Sequence, residues 1–198
     1  TITVTSVAPT SKVYGGQFTV AAIGGGSGNA IAYGSSGGCS NSAATYTMTS
    51  GTTDCHVTFD QPGNNDYNAA AQVTETVNPT RRDVSASFSA DNKVYDGTDT
   101  ATVHSCTLEA ASGDHGVVGT DDVGCSVSNG HFSDANAGTG KTVTATAALT
   151  GTTKTNYQLT DTSPTAKADI TQRNVSASFS ADNKAYDGTD TATVHSCT

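Results

Sequence analysis

The sequence has no tryptophan, one methionine, four prolines and only three leucines in 198 residues. Leu, Ile, Val and Phe together number 29, below the roughly one-fifth of a chain at which charged sequences drift towards disorder. A large leucine-packed helical core is therefore excluded. No apolar run approaches the ~20 residues of a membrane-spanning helix. Basic residues are scarce as well. Nine Lys and Arg stand against 18 Asp and Glu, for a formal charge of −9, which argues against a nucleic-acid partner. Within these 198 residues no signal-peptide pattern, initiating Met or basic tail is read.

What is abundant is Thr (35), Ser (21) and Gly (21). Thr and Val are β-branched and suit a pleated, half-buried surface. They also alternate with apolar residues. Ile2 and Val4 interleave with Thr; Val84, Ala86 and Phe88 with Ser; Val143, Ala145 and Ala147 with Thr. Period-two runs of this kind are strands with one buried face, which rejects disorder. The turn-forming clusters between them are Gly24–Gly28, Gly34–Gly38, Pro62–Asp66, Asp96-Gly97 and Asn129-Gly130. Short strands at this spacing predict an all-β sandwich or barrel.

Internal repetition is the strongest signal. Residues 82–107 recur at 173–198 with two differences in 26 positions, Asp83 against Asn174 and Val94 against Ala185. The expected organisation is a first domain over 1–80, a second over 81–172, and the first strands of a further repeat over 173–198. That last piece is either incomplete, within a longer chain, or completed by another molecule. The linkers Asn78–Arg82 and Thr171–Arg173 are short, which predicts a semi-rigid rod.

Five cysteines sit at 39, 55, 106, 125 and 197. Cys39 and Cys55 fall in the first domain, Cys106 and Cys125 in the second. Cys197 repeats Cys106 and has no partner within this sequence. No C-x2-C pair supports zinc, so two disulfides are expected, each worth roughly 3 kcal/mol in the chain-entropy picture. Disulfides point to an oxidising, extracellular location.

Lys-Val-Tyr-Asp-Gly-Thr at 93–98 is followed by Gly130-His-Phe-Ser-Asp-Ala-Asn-Ala-Gly-Thr-Gly-Lys-Thr-Val, Ala148-Leu-Thr-Gly-Thr, Asn156-Tyr-Gln-Leu and Ala168-Asp-Ile-Thr. In this order they resemble the YDG or MBG-type repeat of large exported bacterial surface proteins, including filamentous-haemagglutinin-like adhesins. Phe18-Thr-Val-Ala-Ala, Gly37-Gly-Cys39, Tyr46-Thr-Met48, Cys55-His-Val and Asp66-Tyr-Asn-Ala resemble bacterial immunoglobulin-like repeats. The resemblances imply tandem immunoglobulin-like β-sandwiches in an elongated rod, secreted or at the cell surface, serving as the stalk of an adhesin or as a filament. They carry over no binding residue.

Chemistry is the weaker alternative. Tyr95-Asp96-Gly97-Thr98 is first of all a turn, leading into a strand over 100–103. Asp91, Asp96 and Asp99, or Asp121 and Asp122, are the acids that calcium would need, but no EF-hand-type loop frames them; no other cofactor is expected. Lys93 and Asn156, with Asp96 or Glu109 as the acid, are placed for an intramolecular isopeptide bond only if Lys93 is buried and neutral. Repetition suits length better than a single active site, so the chain is not expected to be an enzyme. The partners expected are neighbouring repeats of the same chain or head-to-tail copies of it. The competing function is recognition of a glycan or host protein, with Tyr14, Tyr33, Tyr46 and Tyr67 either forming an aromatic patch or serving as core and corner tyrosines.

Overall fold

The computed structural model describes residues 1–195, so Cys197 lies outside the described residues. The architecture is all-β. Lys154–Asn156 forms a single 3-10 turn, and among the described residues no helix is long and apolar enough to cross a membrane.

Nine strands precede Arg81: β1 (Thr3–Ser6), β2 (Ser11–Val13), β3 (Gln17–Thr19), β4 (Ala21–Ile23), β5 (Ala32–Gly37), β6 (Cys39–Ser42), β7 (Thr45–Met48), β8 (Cys55–Asp60) and β9 (Val73–Thr80). They pair only with one another, as β2-β9-β8-β5, β3-β7-β6 and β1-β4. Alternation decides which side chains meet. Cys55, Val57 and Phe59 of β8 are wholly buried, while His56 between them is exposed. Tyr46 and Met48 of β7 and Val77 of β9 close the same core. Each large apolar side chain buried here contributes roughly 1.5–3 kcal/mol.

Eight strands follow: β10 (Arg82–Val84), β11 (Ala86–Ala90), β12 (Lys93–Val94), β13 (Val103–Leu108), β14 (Gly124–Phe132), β15 (Gly138–Thr150), β16 (Tyr157–Leu159) and β17 (Thr165–Thr171). They form the sheets β12-β17-β15-β14, β11-β13 and β10-β16. The core is thinner, built on Ala101, Phe132, Val143, Ala168 and Ile170. The expected inward set Val143, Ala145 and Ala147 is buried. Residues 1–80 and 82–171 are called the first and second modules below. A single residue, Arg81, separates β9 from β10.

The two modules begin alike. In each, a short strand near the start runs parallel to the last strand, β2 beside β9 and β12 beside β17. Val13 stands opposite Thr80, and Val94 opposite Thr171.

Four sequence expectations are corrected. Gly34–Gly38 is not a turn: β5 runs to Gly37 in register with β8, and long-range pairing overrides the local glycine signal. The Tyr46 hydroxyl donates to the Gly34 carbonyl at 2.9 Å, and a Cβ at Gly34 would lie 2.6 Å from Thr58 Oγ1. Asn129-Gly130 is a bulge inside β14, where Asn129 takes φ +53° and the register against β15 shifts. The strand expected over 100–103 starts only at Val103; Thr100 contributes one bridge, to His131. Finally, residues 173–195 contain no strand, only a bridge between Ala181 and Val194. Their counterparts in the second module are held by β13, β16 and β17, and two strands alone are not stable.

Candidate functional site: the module junction

The cysteines form two bridges. Cys39 of β6 joins Cys55 of β8, 16 residues apart, tying together two strands that belong to different sheets. Cys106 of β13 joins Cys125 of β14, 19 residues apart, and does the same for the second module. The first bridge is buried; the second is half-exposed and lines an open hollow.

The Tyr-Asp-Gly turn is a polar lock. Lys93 Nζ donates to Thr98 O at 2.9 Å, Thr98 Oγ1 at 3.0 Å and Thr100 O at 3.1 Å, and pairs with Asp96 Oδ1 at 2.8 Å. Asp96 Oδ1 also accepts from the Thr98 N–H and hydroxyl, both at 2.9 Å. The hydrogen bond from Lys93, followed by those from Thr98, pulls the Asp96 carboxyl down to about 2. The copy repeats the lock with Lys184, Asp187 and Thr189. It forms there without a surrounding core, so it is a local turn device.

The expected isopeptide set is not assembled. Lys93 is held by the turn, the Asn156 side chain accepts from Gly51 N at 2.9 Å, and Glu109 is bonded to Ser85. Asp91 meets His104, and Asp122 meets Thr152. Among the described residues no three acidic, His or Cys side chains gather as a metal site. The one Gly-x-Ser-x-Gly spacing in the chain, Gly34 to Gly38, leads from β5 into β6 and not into a helix, so Ser36 is a strand residue. The four tyrosines make no patch. Tyr46 is buried against Phe18, Tyr33 packs edge-on to Phe59, Tyr67 is exposed, and Tyr14 lies elsewhere.

Tyr14 leads to the site that sequence reasoning missed. It follows β2, where its N–H donates to Thr80 O at 2.9 Å. Its hydroxyl reaches into the second module and donates to Asp121 Oδ2 at 2.8 Å. The hydroxyl of Tyr157 donates to the same oxygen and accepts from Val118 N at 3.0 Å. The two rings meet edge to face, 5.4 Å between centroids. One carboxylate is thus held by two phenols, one from each module. Burial first, then the hydrogen bond and negative charge of Asp121, push Tyr14 up to about 12. Tyr157 is raised for the same reasons.

Arg82 is the second half of the junction. Its side chain is 4% exposed. Nε donates to Gly116 O at 2.8 Å, and Nη2 donates to Gly113 O at 2.6 Å and His115 O at 2.8 Å. Nη1 reaches back to Tyr14 O at 3.3 Å. The planar fork of donors suits this task, because one side chain can gather a loop and a neighbouring module together. Gly51 completes the contact. A Cβ there would lie 2.8 Å from Asn156 O, so any larger residue would force the modules apart.

The family model of the YDG domain matches residues 76–166. A YDG domain is therefore present in the chain. The match starts within β9 and ends within β17. No curated protein and no solved structure matches the chain. The YDG domain contains the Tyr95-Asp96-Gly97 turn, the second disulfide and the Asp121 and Tyr157 side of the junction. A sequence signal for the junction did exist: Lys12-Val13-Tyr14-Gly15-Gly16 shares its Lys-Val-Tyr and second Gly with Lys93-Val94-Tyr95-Asp96-Gly97.

Proposed function

We propose that the chain is a structural segment of the stalk or filament of an extracellular bacterial surface adhesin, built from immunoglobulin-like modules and stapled by disulfides. The observation that carries this reading is the junction. Tyr14 and Tyr157 share Asp121, Arg82 bonds across to Tyr14, and one residue links the modules. Such a contact transmits orientation and load. The tandem copy at 173–198 supports it, since repetition adds length. The two bridges fit an oxidising exterior, and the acidic, hydroxyl-rich strand faces keep a long exported rod from sticking to itself.

Pulling the chain between its ends tests the reading. Two cooperative unfolding events are expected. Reductant should lengthen them by about 5–6 nm and 6–7 nm, the 16 and 19 bridged residues at ~3.5 Å each. Featureless extension at low force would reject a mechanical role.

A further inference from the structure

We propose that the Tyr95 end of the second module is a socket for the front face of another YDG domain, with Tyr95 donating to that domain's counterpart of Asp121 as Tyr14 does at the first junction. The inference rests on the tandem-repeat reading above and adds the contact by which the repeats join.

The two ends are built alike. Tyr95 N donates to Thr171 O at 2.8 Å, as Tyr14 N donates to Thr80 O at 2.9 Å. Both tyrosines follow a short strand that runs parallel to the last strand of their module. Arg173 stands two residues beyond Thr171, as Arg82 stands two beyond Thr80. The next residue differs, Gly15 against Asp96, but the Asp96 carboxylate is held by Lys93 and Thr98.

The first end is covered and the second is open. Tyr95 is 40% exposed and Val94 57%. Tyr95, Asn136, Ala137, Gln172, Arg173 and Val175 surround a shallow hollow of about 500 Å³. Asn136 and Ala137 belong to the loop that leads into β15, the neighbour of β17. Gly51 belongs to the loop that leads into β8, the neighbour of β9.

The occupant is indicated by the chain itself. From Arg173 onward it repeats residues 82–107, so the docking arginine is already in place. What the copy lacks is cover. Val84 is fully buried beside Leu159 in the β10–β16 pair, whereas its counterpart Val175 is 92% exposed. Arg82 is enclosed by the carbonyls of 113–116, while Arg173 is exposed. The missing groups are the counterparts of Val118, Asp121, Asn156 and Tyr157. All lie within residues 108–172, which a complete further YDG domain supplies.

The test extends the full chain after Thr198 with a second copy of residues 108–172, completing the third module. A companion also carries Asn174→Asp and Ala185→Val, making the third module identical in sequence to the second. Tyrosine nitration by tetranitromethane is mapped by mass spectrometry, and intact mass reports closure of the third disulfide. Tyr95 should react freely in the 198-residue chain and be slowed about tenfold or more in both extensions, because the contact must open first. Tyr186, at the new free end, should stay reactive throughout. Equal labelling of Tyr95 in all chains, with the third disulfide closed, would overturn docking and leave the stalk reading standing. Failure of both extensions to close that disulfide would also count against the socket, since a sequence that folds as the second module would have been prevented from folding on it. The stalk reading stands or falls separately, on the pulling experiment with the original chain.

Discussion

Removing the two disulfides should unfold the second module before the first. The bridged segments are 16 and 19 residues long. In the chain-entropy picture each closure stabilises its module by about 3 kcal/mol. For modules of this size the whole stability is on the order of 5–10 kcal/mol, so each bridge supplies a large share. The modules differ in what remains. The first keeps Tyr46, Met48, Phe59, Val57 and Val77, all fully buried. The second keeps Val84, Phe132, Val143, Tyr157 and Ile170, with Ala101, Ala145, Ala147 and Ala168 filling the rest. Loss of about 3 kcal/mol lowers the midpoint of such a domain by roughly 10–20 °C, and the alanine-rich core has less in reserve. Access differs too: Cys106 and Cys125 are half-exposed, whereas Cys39 and Cys55 are buried. A thiolate must reach a sulfur to exchange, so mild reductant should cut Cys106–Cys125 first in the native chain. The assay is calorimetry of the full chain carrying Cys197→Ala, which removes the fifth thiol, with paired Cys→Ala variants and alkylation mapping. Midpoints that move by less than about 3 °C on loss of either bridge would refute the entropic argument. Cutting of Cys39–Cys55 first would refute the access argument.

Other expectations follow from single residues. Arg82→Met removes four bonds to main-chain carbonyls; Gly116 is buried, while water can reach Gly113 and His115. The loss should be about 3 kcal/mol in urea denaturation, and a change below about 1 kcal/mol would contradict the role given to this side chain. Tyr14, ordinarily near 10, is raised to about 12, so the folded state favours the neutral phenol. Its contribution is complete below pH 10 and is lost as pH rises towards 12; Tyr14→Phe should flatten that part of the stability–pH curve, and an unchanged curve would remove Tyr14 from the account. Asp96 is lowered to about 2, so its contribution is present above its ordinary value near 4 and disappears as pH falls through 2. Carbon-detected NMR titration should show this, and Lys93→Gln should return the midpoint towards the ordinary carboxylate range.

Much of the fold was legible because strand alternation is local. Val143, Ala145 and Ala147 lie in a strand whose Thr neighbours face out, and the pattern needs no knowledge of distant residues. The cysteine pairing was legible for a similar reason, since each pair falls within one module. The glycine-rich stretches misled. Gly34–Gly38 and Asn129-Gly130 carry turn chemistry, yet the first is held extended by β8 and the second is absorbed as a bulge against β15. In both, long-range ladder bonds outweigh a local preference. The junction was legible only as the Lys-Val-Tyr shared by 12–14 and 93–95, which marks Tyr14 but none of its partners. Tyr14, Arg82, Asp121 and Tyr157 meet from widely separated positions, and each reads alone as an ordinary surface or core residue. The copy at 173–195 shows the limit of local signals. Its Lys184–Asp187 lock forms, and its strands do not.

The central claim is that the two modules are locked into one unit through Asp121. Residual dipolar couplings of the full chain in a dilute aligning medium test it most directly. A single alignment tensor should fit residues 1–80 and 82–171 together, and Asp121→Asn combined with Tyr14→Phe should split it into two. Two unrelated tensors in the unmodified chain would mean that the modules move independently, and the account of a docked rod would be wrong.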